Sequence, residues 1–152
     1  MQHWLGYTSD TYLHFLIGQL QPEENETILD NGCGNGRFSI TLGQEGARVV
    51  ALDLNLSLLK KTAVRAHEEK LNRRIEFILA DMQNLPFKAG VFDKILCAHN
   101  LWYVPNYRIA AKEMLRTLRK NGEIVLDHLN VLLGVSARIG DEPFPHRDAV
   151  DV

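Results

Sequence analysis

The sequence predicts an α/β protein built on a doubly wound, mostly parallel sheet, and three observations support this fold class. Short apolar runs alternate with longer segments of helical periodicity, as strand–helix–strand units do. A glycine-rich loop, residues 32–36, follows the first of these runs, and acidic residues end several of them. Such units require parallel strands joined by right-handed crossovers, so we expect a three-layer αβα, Rossmann-like sheet with strand order 3-2-1-4-5.

The apolar runs and helical stripes divide the chain into five strands and four helices. The strands are expected at residues 27–31, 48–53, 75–81, 92–98 and 123–127, and the helices at residues 11–20, 38–44, 56–70 and 106–120. Residues 1–24 are interpreted as an N-terminal helical cap and residues 25–128 as the ligand-binding domain. Residues 129–152 contain two prolines, several charges and no sustained period, which predicts a loop or tail, or the truncated end of the same domain.

The composition is typical of a globular domain and argues against several function classes. The net charge of −2 gives no general argument for binding nucleic acid or an anionic membrane. No apolar run approaches the ~18 residues of a membrane-spanning helix, and residues 1–4 do not begin a secretory signal, so a cytoplasmic location is expected. Cys33 and Cys97 have no metal-ligand spacing and are interpreted as reduced, partly buried residues.

The stretch Asp30-Asn31-Gly32-Cys33-Gly34-Asn35-Gly36 predicts a cradle for a nucleotide-type cofactor. It links a strand to a helix, and open α/β sheets bind ligands where such loops leave the strands. Glycine permits positive φ and a close approach of ligand to backbone. The third glycine comes one residue too early for the dinucleotide fingerprint, and no P-loop lysine follows. An NAD-dependent oxidoreductase is therefore kept only as a third interpretation.

Acidic residues at two later strand ends extend this prediction. Asp53 lies 17 residues beyond Gly36, where a carboxylate can accept hydrogen bonds from both hydroxyls of a ribose. A helix cap is the alternative role for Asp53. Asp81 is suited to accept a hydrogen bond from an adenine amino group, and Met82 or Leu54 to pack on the faces of the ring.

These segments occur in the order and spacing of the class I S-adenosylmethionine-dependent methyltransferases. The chain most resembles the broad small-molecule group called methyltransferase type 11. The resemblance covers residues 25–128 and is carried by residues 29–36, 50–53, 80–87, 92–93 and 118–126.

The resemblance, together with the strand-end pattern, implies contacts with S-adenosylmethionine. The positions concerned are Asp30, Gly32, Gly34, Gly36, Asp53, Leu54, Asp81, Met82 and Ala98. Asp30 would orient the amino group of the cofactor, directly or through water, and the backbone around Ala98 would contact its ammonium. The glycines would let the backbone approach the methionine and ribose parts, while the acids at 53 and 81 would bind the ribose diol and the adenine.

The implied reaction is transfer of the sulfonium methyl group to a small-molecule acceptor, without a metal, a nucleic acid or a membrane partner. A base is useful when the acceptor carries a proton of high pKa. His99 directly follows the fourth strand and is the first candidate, with His128 and Asp127 next. The alternative role for His99 is that of a hydrogen-bonded wall residue.

The chain departs from the family pattern in two places. His99-Asn100-Leu101-Trp102 replaces the Asn-Pro-Pro-Tyr or Asp-Pro-Pro-Tyr tetrapeptide of enzymes that methylate nucleic-acid amino groups, which argues against a DNA base as acceptor. Residues 129–152 are too few to hold easily the helix and antiparallel strands that the family adds after strand five. Either the domain is truncated, a partner supplies the missing layer, as in a homodimer, or the tail covers the edge beyond strand five. A non-catalytic S-adenosylmethionine-binding or scaffold relative is a further interpretation.

Overall fold

The computed structural model describes residues 10–128 and 131–138 and confirms the doubly wound α/β fold. The helices are α1 (Asp10–Leu20), α2 (Arg37–Gln44), α3 (Leu56–Glu68) and α4 (Tyr107–Thr117), with a 3-10 turn at Leu101–Tyr103. The strands are β1 (Thr27–Asn31), β2 (Arg48–Asp53), β3 (Ile75–Leu79), β4 (Phe92–Cys97), β5 (Leu118–His128) and β6 (Val131–Arg138).

The sheet has the strand order β3-β2-β1-β4-β5-β6, which contains the predicted order 3-2-1-4-5. The first five strands run parallel, and β6 runs antiparallel to β5. β1 lies in the middle, with β2 on one side and β4 on the other. Because chain direction is shared, the carboxyl ends of β1, β2 and β4 meet at one edge, where the predicted site residues are concentrated.

Two apolar cores pack on the opposite faces of the sheet. One contains buried residues of α1, α2 and α3, and the predicted stripe of Leu13, Leu16, Ile17 and Leu20 lies within it. The other contains Ala110 and Met114 of α4 together with Leu29 and Ile95 of the central strands. Helices on both faces bury most residues of the central strands β1 and β4, whereas the edge strand β3 is only partly buried.

The junction between α4 and β5 differs from the prediction. The helix was expected to reach residue 120, but it ends at Thr117, and β5 begins at Leu118. Phe92 pairs with Leu118 and Lys94 with Glu123, so the intervening residues of β5 form an irregular insertion in the ladder. A Cβ on Gly122 would lie only 2.7 Å from the carbonyl oxygen of Asp93, so this glycine serves strand contact instead of ending the helix.

The prediction of a loop or tail over residues 129–152 is wrong for residues 131–138, which form β6. Leu126 pairs with Val135 and Glu123 with Arg138 in an antiparallel ladder. The free backbone edge of β5 supplies the hydrogen-bonding partners, a tertiary effect that local sequence does not reveal. Residues 139–152 and 1–9, including Trp4 and Tyr7 of the predicted cap, lie outside the described residues.

Candidate functional site

A cleft opens at the carboxyl edge of the sheet, beside the ends of β1 and β2. Its volume is about 180 Å³, and it is lined by Gly32, Leu52, Asp53, Leu54, Ala80, Asp81, Met82, Gln83, Asn100, Tyr103, Val104 and Pro105. Five predicted cofactor residues, at positions 32, 53, 54, 81 and 82, are therefore brought together. The predicted residues at positions 30, 34, 36, 98 and 99 are not part of this lining.

The glycine loop is shaped by two positions that require glycine. Gly32 and Gly36 have φ values of 85° and 74°, in the left-handed region. A Cβ on Gly32 would lie 2.5 Å from the Asn100 side chain, and a Cβ on Gly36 would lie 2.0 Å from Cγ2 of Thr62. The loop is anchored to β2 because the N–H groups of Gly32 and Cys33 both donate to the carbonyl of Leu52 at 2.8 Å.

Asp53 ties the glycine loop to the start of α3. One carboxylate oxygen accepts the N–H of Gly34 at 2.8 Å, and the other accepts the N–H of Asn55 at 2.8 Å. Asn55 in turn caps α3 by accepting the N–H of Leu58 at 3.1 Å. Each carboxylate oxygen can accept more than one hydrogen bond, so Asp53 has this structural task and still presents acceptor capacity to the cleft.

The segment after β3 forms the opposite wall of the cleft. Asp81 accepts the backbone N–H of Gln83 at 2.8 Å, which closes a turn at the strand end. Met82 is buried in the apolar core below the cleft, whereas Leu54 is 68% exposed at its rim. The wall thus combines a carboxylate with apolar surface, as a flat polar ring requires.

Asp30 lies below the loop, not in the cleft. Its carboxylate is buried and accepts a hydrogen bond from the hydroxyl of Ser39. Burial raises the pKa of Asp30 to about 6, with a smaller contribution from the charge of Asp53, and the hydrogen bonds from Ser39 oppose this rise. Asp30 does not line the cleft, which favours an action on the cofactor's amino group through water over a direct contact.

Substituting Asp30 with asparagine is expected to change the pH dependence of stability. Because the pKa is raised on folding, the native state binds more protons than the unfolded state between pH ~4 and pH ~6. In the unaltered protein, the contribution of Asp30 to the free energy of unfolding is fully present below this window and falls by about 3 kcal/mol as the pH rises through it. Urea unfolding of both proteins from pH 4 to pH 7.5 should show the variant gaining relative stability with pH; a constant difference would contradict the assignment.

Sequence reasoning missed Asn100, which lines the cleft. Its amide nitrogen donates to the backbone carbonyls of Gly32 at 2.6 Å, Asn31 at 3.3 Å and Ala98. The side chain thereby connects the ends of β1 and β4. The sequence signal for Asn100 is its place in the segment just after the predicted fourth strand, where His99 also lies.

His99 lies beside a carboxylate and two aromatic rings. Its Nδ1 is 3.3 Å from Asp127, which also accepts the His99 backbone N–H at 2.6 Å and a hydrogen bond from the Tyr12 hydroxyl. The His99 ring centroid is 4.9 Å from that of Tyr12 and 5.8 Å from that of Trp102. The side chain is 27% exposed, but Nε2 is buried. His99 has a φ of 61°, so its backbone is held in an uncommon conformation.

The two cysteines lie at this edge as unpaired, buried thiols. Burial raises the pKa of Cys33 far above its usual range and the pKa of Cys97 to about 12, and nearby carboxylates contribute in both cases. Both thiols are therefore protonated at neutral pH and are poor nucleophiles.

Comparison with known sequences adds a family assignment. A profile described as "Methyltransferase domain" matches residues 29–126. A ubiquinone/menaquinone biosynthesis C-methyltransferase (UbiE) of Sinorhizobium fredii is 32% identical over 116 residues, which cover 73% of this chain and 45% of that protein. UbiE of Coxiella burnetii is 34% identical, with coverage of 74% and 46%. The chain spans about half the length of these curated relatives.

Solved structures share the fold at low sequence identity. The [4+2]-cyclase SpnF superposes with a TM-score of 0.74 at 22% identity, covering 77% of this chain and 43% of that one. A geranyl diphosphate methyltransferase in complex with S-adenosylmethionine gives 0.72 at 24% identity, with coverage of 76% and 47%. Within residues 10–128 and 131–138, no helix is both long enough and apolar enough to span a membrane.

Proposed function

The chain belongs to the methyltransferase-domain family, whose cofactor is S-adenosylmethionine, and we propose that it transfers a methyl group from this cofactor to a small-molecule acceptor. The observation that carries the proposal is the cleft that Asp53, Asp81 and Gly32 of the glycine loop line together. Along this cleft, Gly32 allows a close approach to the backbone, Asp53 can accept hydrogen bonds from a ribose, and Asp81 can accept one from an adenine. This is the sequence of groups that an adenosine bearing an amino-acid chain requires.

Each part of the cofactor has a candidate subsite. The carboxylate of Asp53 accepts hydrogen bonds from the ribose hydroxyls while keeping its bonds to the loop. Asp81 accepts from the adenine amino group, and Met82 and Leu54 pack on the ring. The carbonyls near Gly32 and Ala98 accept from the methionine ammonium, and Asp30 supports the loop from below through Ser39.

The residues of this chain contribute mainly alignment and exclusion of water. When bound, S-adenosylmethionine would supply an activated methyl group, whose bond to sulfur breaks as the acceptor nucleophile bonds to the methyl carbon, with S-adenosylhomocysteine as the leaving group. The cleft walls hold the donor, so the acceptor has to approach from the side of the segment after β4. Tyr103 and Val104 belong to this segment and line the cleft.

His99 is the candidate base for an acceptor that carries a proton. Asp127, 3.3 Å from Nδ1, favours the tautomer with the proton on Nδ1 and leaves Nε2 as the proton acceptor. Because Nε2 is buried, an entering acceptor has to displace the groups that cover it, and the rings of Tyr12 and Trp102 are the nearest candidates. His128 was the second candidate, and its side chain lies outside the described residues.

The acceptor is proposed only as a class. The two UbiE relatives are named C-methyltransferases, which makes a carbon nucleophile one candidate beside oxygen, nitrogen and sulfur. A DNA base is disfavoured by the segment His99-Asn100-Leu101-Trp102. The cytoplasmic location and a homodimer stay predictions from the sequence.

A non-catalytic S-adenosylmethionine-binding relative is the second candidate function, because Nε2 of His99, the candidate base, is buried. Calorimetric titration with S-adenosylmethionine, S-adenosylhomocysteine and NAD separates the alternatives. We expect both sulfur ligands to bind and NAD to fail. Binding of NAD alone would overturn the proposal, while cofactor binding without incorporation of labelled methyl into any small-molecule pool would favour the non-catalytic candidate.

Substituting Asp53 with alanine is expected to weaken S-adenosylhomocysteine binding by about 10- to 100-fold, through lost hydrogen bonds to the ribose. The loss also removes the acceptor of the Gly34 and Asn55 N–H groups. Asp53→Asn is the matched control, since it keeps an oxygen acceptor and should lose less affinity. Titration calorimetry measures both constants; an unchanged affinity in Asp53→Ala would refute the ribose role.

A further inference from the structure

Three backbone carbonyls converge on the side-chain nitrogen of a residue that lines the cleft. The acceptors are the carbonyl oxygens of Asn31 and Gly32, at 3.3 and 2.6 Å, and that of Ala98, and the nitrogen is the side-chain amide of Asn100. An oxygen of the amide at this position would face three acceptors, so the nitrogen is the only chemically reasonable occupant. The three carbonyls form a site for a group that donates several hydrogen bonds.

An ammonium group matches this site better than the amide does. The amide nitrogen carries two N–H groups for three carbonyls, whereas an ammonium carries three and adds a positive charge. Hydrogen bonds from a charged donor are roughly twice as strong as neutral ones. A ligand ammonium can therefore compete with the Asn100 amide for these carbonyls.

Asn100 belongs to the lining of the cleft, whereas Asn31 and Ala98 do not. Asn100 lines the same volume as Asp53 and Asp81. It packs so closely on Gly32 that a Cβ at that residue would lie 2.5 Å from its Cγ and Nδ2 atoms. An ammonium within hydrogen-bond distance of the same three carbonyls would have to occupy the position of the amide nitrogen, so the two groups exclude each other there.

We propose that Asn100 is an internal competitor for the cofactor's ammonium, an inference that rests on the proposed function. Its amide satisfies the three carbonyls in the free protein and leaves them when the amino-acid part of the cofactor enters. Asn100 thus lowers the affinity for ligands that carry an ammonium. Ligands without this group leave the amide in place, so their affinity does not depend on Asn100.

Titration calorimetry with two ligands tests this selectivity. S-adenosylhomocysteine carries the ammonium, and 5′-methylthioadenosine has the same adenosine and sulfur but lacks the amino-acid part. Asn100→Ala is expected to bind S-adenosylhomocysteine about tenfold more tightly and 5′-methylthioadenosine with unchanged affinity. Asn72→Ala, the same chemical change on the connection between α3 and β3, should alter neither constant.

Other outcomes contradict the inference in distinguishable ways. Weaker or equal binding of S-adenosylhomocysteine by Asn100→Ala would mean that the amide supports the site or is irrelevant to it. An equal change for both ligands would indicate a general effect on the loop. If Asn100→Ala does not fold, Asn100→Ser, which cannot reach all three carbonyls, is measured by the same criteria. Failure of the unaltered protein to bind either ligand would instead overturn the proposed function, and this inference with it.

Discussion

Substituting Gly36 with alanine is expected to destabilise the fold by about 2–4 kcal/mol, whereas the same change at Gly34 should cost about 1 kcal/mol. Both residues have positive φ, 74° and 52°. At Gly36 the new Cβ would lie 2.0 Å from Cγ2 of Thr62, but at Gly34 no atom lies within 4 Å. The two variants share the backbone strain and differ in the clash.

Thr62 cannot easily yield to this clash. It is only 1% exposed, its side chain is β-branched, and its hydroxyl donates to the carbonyl of Gly34 at 3.3 Å. Gly36 is also the residue that precedes the first turn of α2. The strain is therefore transmitted to the junction of the loop with two helices, and we expect ligand binding to fall along with stability.

Urea denaturation of the two alanine variants measures this difference. The double variant Gly36→Ala/Thr62→Ala should recover a substantial part of the loss, since it removes the methyl group that the new Cβ meets. Equal destabilisation by the two single substitutions would show that backbone strain alone decides the requirement for glycine.

Replacing His99 with glutamine is expected to lower the rate of methyl transfer about 100-fold for an acceptor that must lose a proton. Affinity for S-adenosylhomocysteine should change little, because His99 does not line the cleft. Asp127→Asn should lower the rate as well, since the carboxylate beside Nδ1 orients the ring and stabilises its charged form. The rate is measured with radiolabelled methyl and a panel of phenol, amine, thiol and activated-carbon acceptors.

The control for this prediction is His67→Gln, which makes the same change on the exposed surface of α3. Nitrogen-15 spectra of labelled histidine report which ring nitrogen carries the proton, independently of the acceptor. The His99 signal, identified by its loss in His99→Gln, should indicate a proton on Nδ1 and change in Asp127→Asn. An unaltered rate in His99→Gln, or a rate loss that only follows a loss of cofactor binding, would argue that His99 is a wall residue and not the base.

The central part of the fold could be predicted because its signals are local. β1 and β2 are short apolar runs with identical predicted and observed bounds, and glycines or caps mark the neighbouring helices. The C-terminal part depends on tertiary pairing. Residues 118–122 are strand because they meet β4 through an irregular ladder, and residues 131–138 are strand because β5 offers a free edge. Neither condition is visible in local periodicity.

The site could be predicted where a residue lies at the end of a strand or within two residues after it. Asp53, Asp81 and Gly32 line one cleft because parallel strands bring their ends together. The contact between Tyr12 and Asp127 joins residues 115 positions apart, and the Asn100 amide donates to carbonyls at the end of β1, 68 and 69 positions away. Such contacts depend on helix placement and side-chain direction, which sequence spacing alone does not encode.

The carbonyl site under Asn100 has a consequence for how this protein can evolve. Its three acceptors belong to the main chain, so a substitution at Asn31 alters the side chain but leaves the carbonyl oxygen on a strand that pairs with β2. Recognition of the cofactor's ammonium group therefore depends little on the side chains at these positions. The segment 101–105, which carries Tyr103 at 79% exposure, has no such constraint on its side chains. A few substitutions in this short segment can therefore change the methyl acceptor while the cofactor-binding site stays intact.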